Sequence, residues 1–298
     1  MRHRFARLTV YMTVVALVLG NLVVATKAGD ACGTDWPKCN GKLIPDFTDY
    51  KVLIEYSHRM FTGSLGFVML INFILSWKMK YITESAVKVL SILSIFLLLL
   101  QSLVGGLNVL LGTPPGFTTF DVTISLLLLT SLVLLLAGLE RIGVQPIKEK
   151  MQINCHYRQL FKPAFAAFSL FFLEIVIGAF FKHSGASKIV NNLITDETLI
   201  KSFVLSDIIY STHGIINTII LVYAGYVVFL SIRKKVLVKN SMIFFILIIM
   251  NGVTGYITQL SKVNEVYSSL HMIIVILTVF QGSYLMSKSY FGPYFLKK

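Results

Sequence analysis

The chain has 298 residues, 55% hydrophobic and only 14% charged, where a soluble globular domain carries about 25% charged residues. With a mean hydropathy of +0.76, this excludes a soluble enzyme and predicts an all-α polytopic membrane protein; three cysteines exclude a disulfide-dense scaffold. A formal net charge of +13 suggests nucleic acid only if the basic residues form one binding face.

Apolar runs long enough to cross a bilayer predict eight spans, at 8–26, 58–77, 86–109, 118–139, 162–181, 208–231, 241–259 and 266–287. The first follows Arg2, Arg4 and Arg7, and its length without a small-residue cleavage pattern reads as a retained anchor. If the N-terminus is cytoplasmic, inner segments hold 18 of the 27 basic residues. Only Glu84, Glu140 and Glu149 oppose them there. The positive-inside rule then puts both termini in the cytoplasm, and the positive charge reports orientation in a cell membrane, not a nucleic-acid partner. No Walker A loop or dinucleotide fingerprint is present, which speaks against an ATP-driven pump.

The last four spans echo the first four at an offset of roughly 150 to 155 residues. Tyr56-Ser57-His58 corresponds to Tyr210-Ser211-Thr212-His213, Gln101 and Gly105 to Asn251 and Gly255, Lys27 to Lys182, and Asp121 to His271. Both halves keep the same orientation, so the reading is two pseudo-repeated four-helix bundles and not an inverted transporter repeat. This divides the chain into an N-terminal half at 1–139 with an outer loop at 27–57, a cytoplasmic linker at 140–161, and a C-terminal half at 162–298.

His58, His213 and His271 fall within the first two turns of even-numbered spans, at one expected depth near the outer face. An intramembrane histidine is either a functional group or a polar link between helices. Histidines from facing helices of a bundle also grip a haem axially, and His213 with His271 suits such a pair. Gly63, Gly66, Gly105, Gly106, Gly252 and Gly255 either open a porphyrin-sized slot or let helices touch. Arg59, Lys27, Lys182 and Lys262 either meet haem propionates or snorkel to headgroups.

Cys32 and Cys39, seven apart on the oxidising face, suggest a disulfide, whereas Cys155 lies in the linker and stays reduced. Glu55 precedes His58 by three residues and shares its helix face; it is a proton-handling carboxylate or an exposed helix-start acid. Glu174 is an isolated carboxylate in the fifth span with no acidic counterpart in the first. His3, His156 and His183 read as surface residues, and Asp196 and Glu197 as a solvent-facing loop.

The stretch Thr26-Lys27-Ala28-Gly29, Cys32-Gly33, Trp36-Pro37, Cys39-Asn40-Gly41 and Pro45, followed by Glu55-Tyr56-Ser57-His58-Arg59, resembles the bacterial and mitochondrial haem A synthases, which convert haem O to haem A for terminal oxidases. The resemblance covers most of the chain. It implies a haem b cofactor between His213 and His271, a haem O substrate with its iron near His58, and oxidation of a ring methyl to an alcohol and then a formyl group. It makes Glu55 the acid beside the substrate and Cys32 and Cys39 a redox or loop-stabilising pair. It also implies haem O synthase and an electron-transfer protein as partners, in a bilayer, with homo-oligomers allowed. The sequence departs from the family at Asp121, where a second histidine is expected; Asp121 is then a weak oxygen ligand or none. A haem b-binding electron carrier or oxidase assembly factor without catalysis is the alternative that Asp121 favours.

Overall fold

The computed structural model describes residues 2–77, 85–112, 114, 116–141, 151–193 and 199–292. Among them are nine helices: α1 (Arg2–Ala25), α2 (Tyr50–Trp77), α3 (Ser85–Leu110), α4 (Phe117–Arg141), α5 (Met151–His183), α6 (Ala186–Val190), α7 (Phe203–Lys234), α8 (Val238–Leu260) and α9 (Glu265–Phe291). All but α6 are long and apolar enough to cross a membrane, so the all-α membrane fold holds.

Several spans are longer than their apolar stretches predict. Helix α2 starts at Tyr50, not 58, because Asp49 caps it: Lys51 N donates to Asp49 Oδ1 at 2.8 Å. The outer loop therefore ends eight residues earlier than expected. Helix α5 begins at Met151 and runs through Pro163, so 151–161 of the expected linker, Cys155 included, are helical. Residues 142–150 of that linker lie outside the described residues, as do Lys78, Lys80, Glu84, Asp196, Glu197, Lys297 and Lys298. Helix α7 starts at Phe203, where Ser202 Oγ accepts from Leu205 N, and ends at Lys235 in the left-handed conformation. Asn264 caps α9 by accepting from Val266 N, with Glu265 favourably placed at the positive end of the helix dipole.

In the first half α2 packs on α1 and α3, and α4 on α3 and α1; in the second, α7 packs on α5 and α8, and α9 on α8 and α5. In each half the two helices carrying the singled-out residues therefore lie diagonally across a four-helix ring, as a duplicated bundle requires. The halves meet through α4, α9, α1 and α5. Accordingly the apolar windows of α4 and α9 are 61% and 56% buried in protein, against 22–39% for the other spans. Outward side chains such as Phe67, Leu99, Val222 and Ile246 are exposed, as suits helices bathed in lipid.

Small side chains set the central packing. A Cβ at Gly282 on α9 would lie 2.7 Å from Phe168 and 2.8 Å from Phe244, so only glycine lets α9 approach α5 and α8 this closely. Ser283 Oγ donates to Thr130 Oγ1 at 3.2 Å between α9 and α4. At the end away from the disulfide loop, Glu140 on α4 binds Arg7 of α1 at 2.7 Å and Lys288 of α9 at 3.1 Å.

Candidate functional site

The loop between α1 and α2 is closed by a Cys32–Cys39 disulfide and tied to α2 from both sides. Glu55, one turn into α2, is almost fully buried; its Oε2 accepts from Cys32 N at 2.7 Å and its Oε1 pairs with Arg59. It is thus not the exposed helix-start acid that one reading allowed. Arg59 also donates to the carbonyl oxygens of Gly33, Asp35 and Lys38, and the Tyr56 hydroxyl to that of Leu43. The guanidinium is therefore committed to the loop and its carboxylate partner. Trp36, carried by the same loop, rests against Gly63 of α2.

Below the loop, one cavity of about 1760 Å³ gathers Glu55, His58, Asp121, His213 and His271 from both halves. It exceeds the roughly 300–1,000 Å³ that encloses a drug-sized ligand. His58 and His213 lie more than two turns inside their helices, deeper than the sequence predicts, because α2 and α7 begin early. All six glycines expected to open a slot line this cavity. Two further glycines, on α1 and α5, escaped the sequence reading. A Cβ at Gly20 would lie 3.2 Å from His58 Cε1, and one at Gly178 only 2.6 Å from His213 Cε1. Gly255 faces His271 in the same way at 3.3 Å, and Gly105 faces Asp121 Oδ1 at 3.9 Å. Each of the four positions thus sits against a glycine of the preceding span, α1, α3, α5 or α8. Gly20 and Gly178 are 158 residues apart, just outside the offset of the repeat, so the sequence did not mark them.

The imidazoles differ in how they are held. His271 Nδ1 lies 3.0 Å from Thr254 Oγ1, a hydroxyl that also reaches the Met250 carbonyl at 2.8 Å and the Asn251 carbonyl at 3.2 Å. His213 Nδ1 is buried without a well-aligned partner, 3.3 Å from Glu174 Oε1. His58 Nδ1 is buried with no partner among the described residues. In all three rings Nδ1 is turned into protein, which leaves Nε2 for whatever occupies the cavity. Asp121 Oδ1 accepts from Gln101 Nε2 at 2.6 Å, whereas the corresponding Asn251 donates to Thr278 Oγ1.

Other expectations need revision. His183 is partly buried and lines the cavity, and its carbonyl accepts from Gly116 N at 2.9 Å; it is not a surface residue. Of the four basic residues expected near the outer boundary, Arg59, Lys182 and the exposed Lys27 line the cavity, with Lys182 Nζ donating to Ser268 Oγ at 2.6 Å, whereas Lys262 is an exposed turn residue outside its lining. Cys155 is free and exposed.

The donor set fits a porphyrin iron ligated by nitrogen. Two imidazoles stand on diagonal helices, each beside a position where a Cβ would crowd its ring, and Gln101 Oε1 and Asn108 Oδ1 are buried cavity-lining acceptors without partners among the described residues. No cluster of three or more His, Cys, Asp or Glu side chains suited to a bare metal ion occurs among the described residues.

Fold and site together define an eight-span helical membrane protein with a histidine-lined cavity beneath a disulfide-closed loop. The family model for cytochrome oxidase assembly proteins, COX15-CtaA, matches residues 3–281. The chain is 26% identical over 273 residues to the haem A synthases of Bacillus cereus, Bacillus anthracis and Bacillus thuringiensis, covering 88% of this chain and 84% of each relative. The chain belongs to this haem A synthase family of cytochrome oxidase assembly proteins.

Proposed function

We propose that this chain is a haem A synthase-type membrane oxidoreductase that oxidises a methyl group on the ring of haem O to a formyl group, through the alcohol. The supporting observation is the single cavity that joins His58, beside Glu55 and the disulfide loop, to the His213 and His271 pair. In this reading the N-terminal half receives haem O, with His58 Nε2 as iron ligand. The C-terminal half holds haem b through His213 and His271 Nε2, and Lys182, a buried amine whose hydrogen-bond partner is a serine, meets a propionate. Haem b supplies one-electron transfer when bound.

The chain's own residues do the rest. Helix α2 presents Glu55 and His58 from one face, so a carboxylate stands one turn from the iron ligand, able to take protons as each of the two steps removes two electrons and two protons from the carbon. Water supplies the oxygen of the alcohol, and the electrons pass to an external electron-transfer protein. Arg59 and Cys32 N hold that carboxylate in place and keep the loop over the cavity. The loop end faces the oxidising side of a cell membrane, because the opposite end carries most of the basic charge.

The test is expression in a host that makes haem O but lacks its own haem A synthase, with extracted membrane haems separated by chromatography and mass. Haem A or its alcohol precursor appears with this chain and is absent with His58→Ala. A second reading is favoured by Asp121, which is hydrogen-bonded to Gln101 where the family pattern has a ligand: a haem b-binding carrier or oxidase assembly factor. Haem b retained on the purified protein with haem O unchanged would select it.

A further inference from the structure

Glu174 is a carboxylate inside a membrane-spanning helix, 4% exposed, to which the proposed chemistry assigns no part. A polar group at that depth is retained against a desolvation cost and requires a partner. Two side chains of α7 meet it: Asn217, hydrogen-bonded to the carboxyl, and His213, whose Nδ1 lies 3.3 Å from Glu174 Oε1 across the α5–α7 contact. Gly178 lies one turn further along α5, and its missing side chain is what admits the His213 ring.

We propose that Glu174 is a positioning residue for His213: its carboxyl oxygen accepts the Nδ1 proton, which fixes the tautomer with its lone pair on Nε2, facing the cavity. Either protonation state of the carboxyl keeps an acceptor oxygen, so the role does not depend on charge. The contact lies within reach at 3.3 Å but is oblique in the structure.

Two comparisons within the molecule support this. His271 Nδ1 already has a side-chain partner in Thr254 Oγ1 at 3.0 Å, and that hydroxyl accepts from Nδ1 when its own proton goes to the Met250 or Asn251 carbonyl. His58, by contrast, has no acceptor at Nδ1 among the described residues. Counting back four residues from the facing glycine gives Glu174 from Gly178 but Ala16 from Gly20. Of the three imidazoles, His271 thus has an outer partner, Glu174 would supply one to His213, and His58 has none among the described residues. That difference suits a resident group in the second half and a passing one in the first, since outer partners orient a ligand and strengthen its donor atom. The consequence for haem rests on the function proposed above; the tautomer does not. The rival acceptor is the main-chain carbonyl of Glu174 itself, close to the same ring.

The experiment is nitrogen-15 NMR of the full chain labelled at its six histidines, reconstituted in lipid without haem, with His213 assigned by its loss in His213→Asn. A protonated Nδ1 is expected in the native chain and in Glu174→Gln, and a tautomer mixture in Glu174→Ala and Glu174→Leu. Ala is the residue the other half carries there, so that variant keeps the test open should the bulkier one not accumulate. An unchanged Nδ1–H signal in both assigns the proton to the main-chain carbonyl and overturns the proposal. With haem b bound, the same two variants should release it to apomyoglobin about 10–100-fold faster, while Glu174→Gln stays near the native rate. If the tautomer responds but the chain binds no haem, the function proposed above fails and the role of Glu174 stands.

Discussion

Position 121 shows how one side chain separates two sites of similar build. Asp121 and His271 face glycines at corresponding places on α3 and α8, yet Asp121 is drawn to Gln101 while His271 is held by Thr254. A carboxylate engaged by an amide at 2.6 Å is a poor competitor for iron, which would leave the haem proposed at His58 with one strong ligand. A substrate that must depart gains nothing from a second. Restoring the imidazole tests whether the seat itself survives: Asp121→His should add a second low-spin haem spectrum to the purified protein. Unchanged haem content would mean that the first half no longer has room for a porphyrin.

At the scale of elements, the loop and α2 form one unit. The charged residues Lys51, Glu55 and Arg59 make this end of α2 look unlike a span. The helix tolerates them because Glu55 and Arg59 satisfy each other and the loop backbone. Arg59→Ala would leave Glu55 buried and without its cation, at a cost of about 3–5 kcal/mol where such pairs are broken. Thermal unfolding in detergent should show a clearly lowered midpoint, and the loop should become sensitive to protease between residues 33 and 43. A midpoint equal to that of the native chain would show that the Cys32 N hydrogen bond and the disulfide hold the loop unaided.

At the scale of the whole molecule, the two halves are joined by α1, α4, α5 and α9, and Glu140 fastens three of these at the end away from the cavity. Arg7 is more than half exposed, so its share is discounted, and Glu140→Gln should cost only about 1 kcal/mol. The expected result is a small fall in melting temperature that shrinks at high salt, with haem content preserved because the cluster lies outside the cavity lining. Loss of haem instead would mean that the far end sets the spacing of the diagonal helices.

Composition and hydropathy alone determined the all-helical membrane fold and the eight spans, because lipid demands long runs of apolar residues with every backbone group satisfied within the helix. The repeat offset and the motif around Glu55 and His58 likewise exposed the residues that gather in the cavity. Three things were decided only by the tertiary structure. Helix ends moved outward at α2 and α5, since capping by Asp49 and pairing of Glu55 with Arg59 are not hydropathy. Gly20 and Gly178 look like ordinary packing residues until each is found facing an imidazole. Glu174 looks isolated along the chain, because its neighbour His213 is 39 positions away and reaches it only when α5 packs on α7. Periodicity and composition are local properties of a chain, whereas the partner of a buried polar atom is a property of the packing between helices.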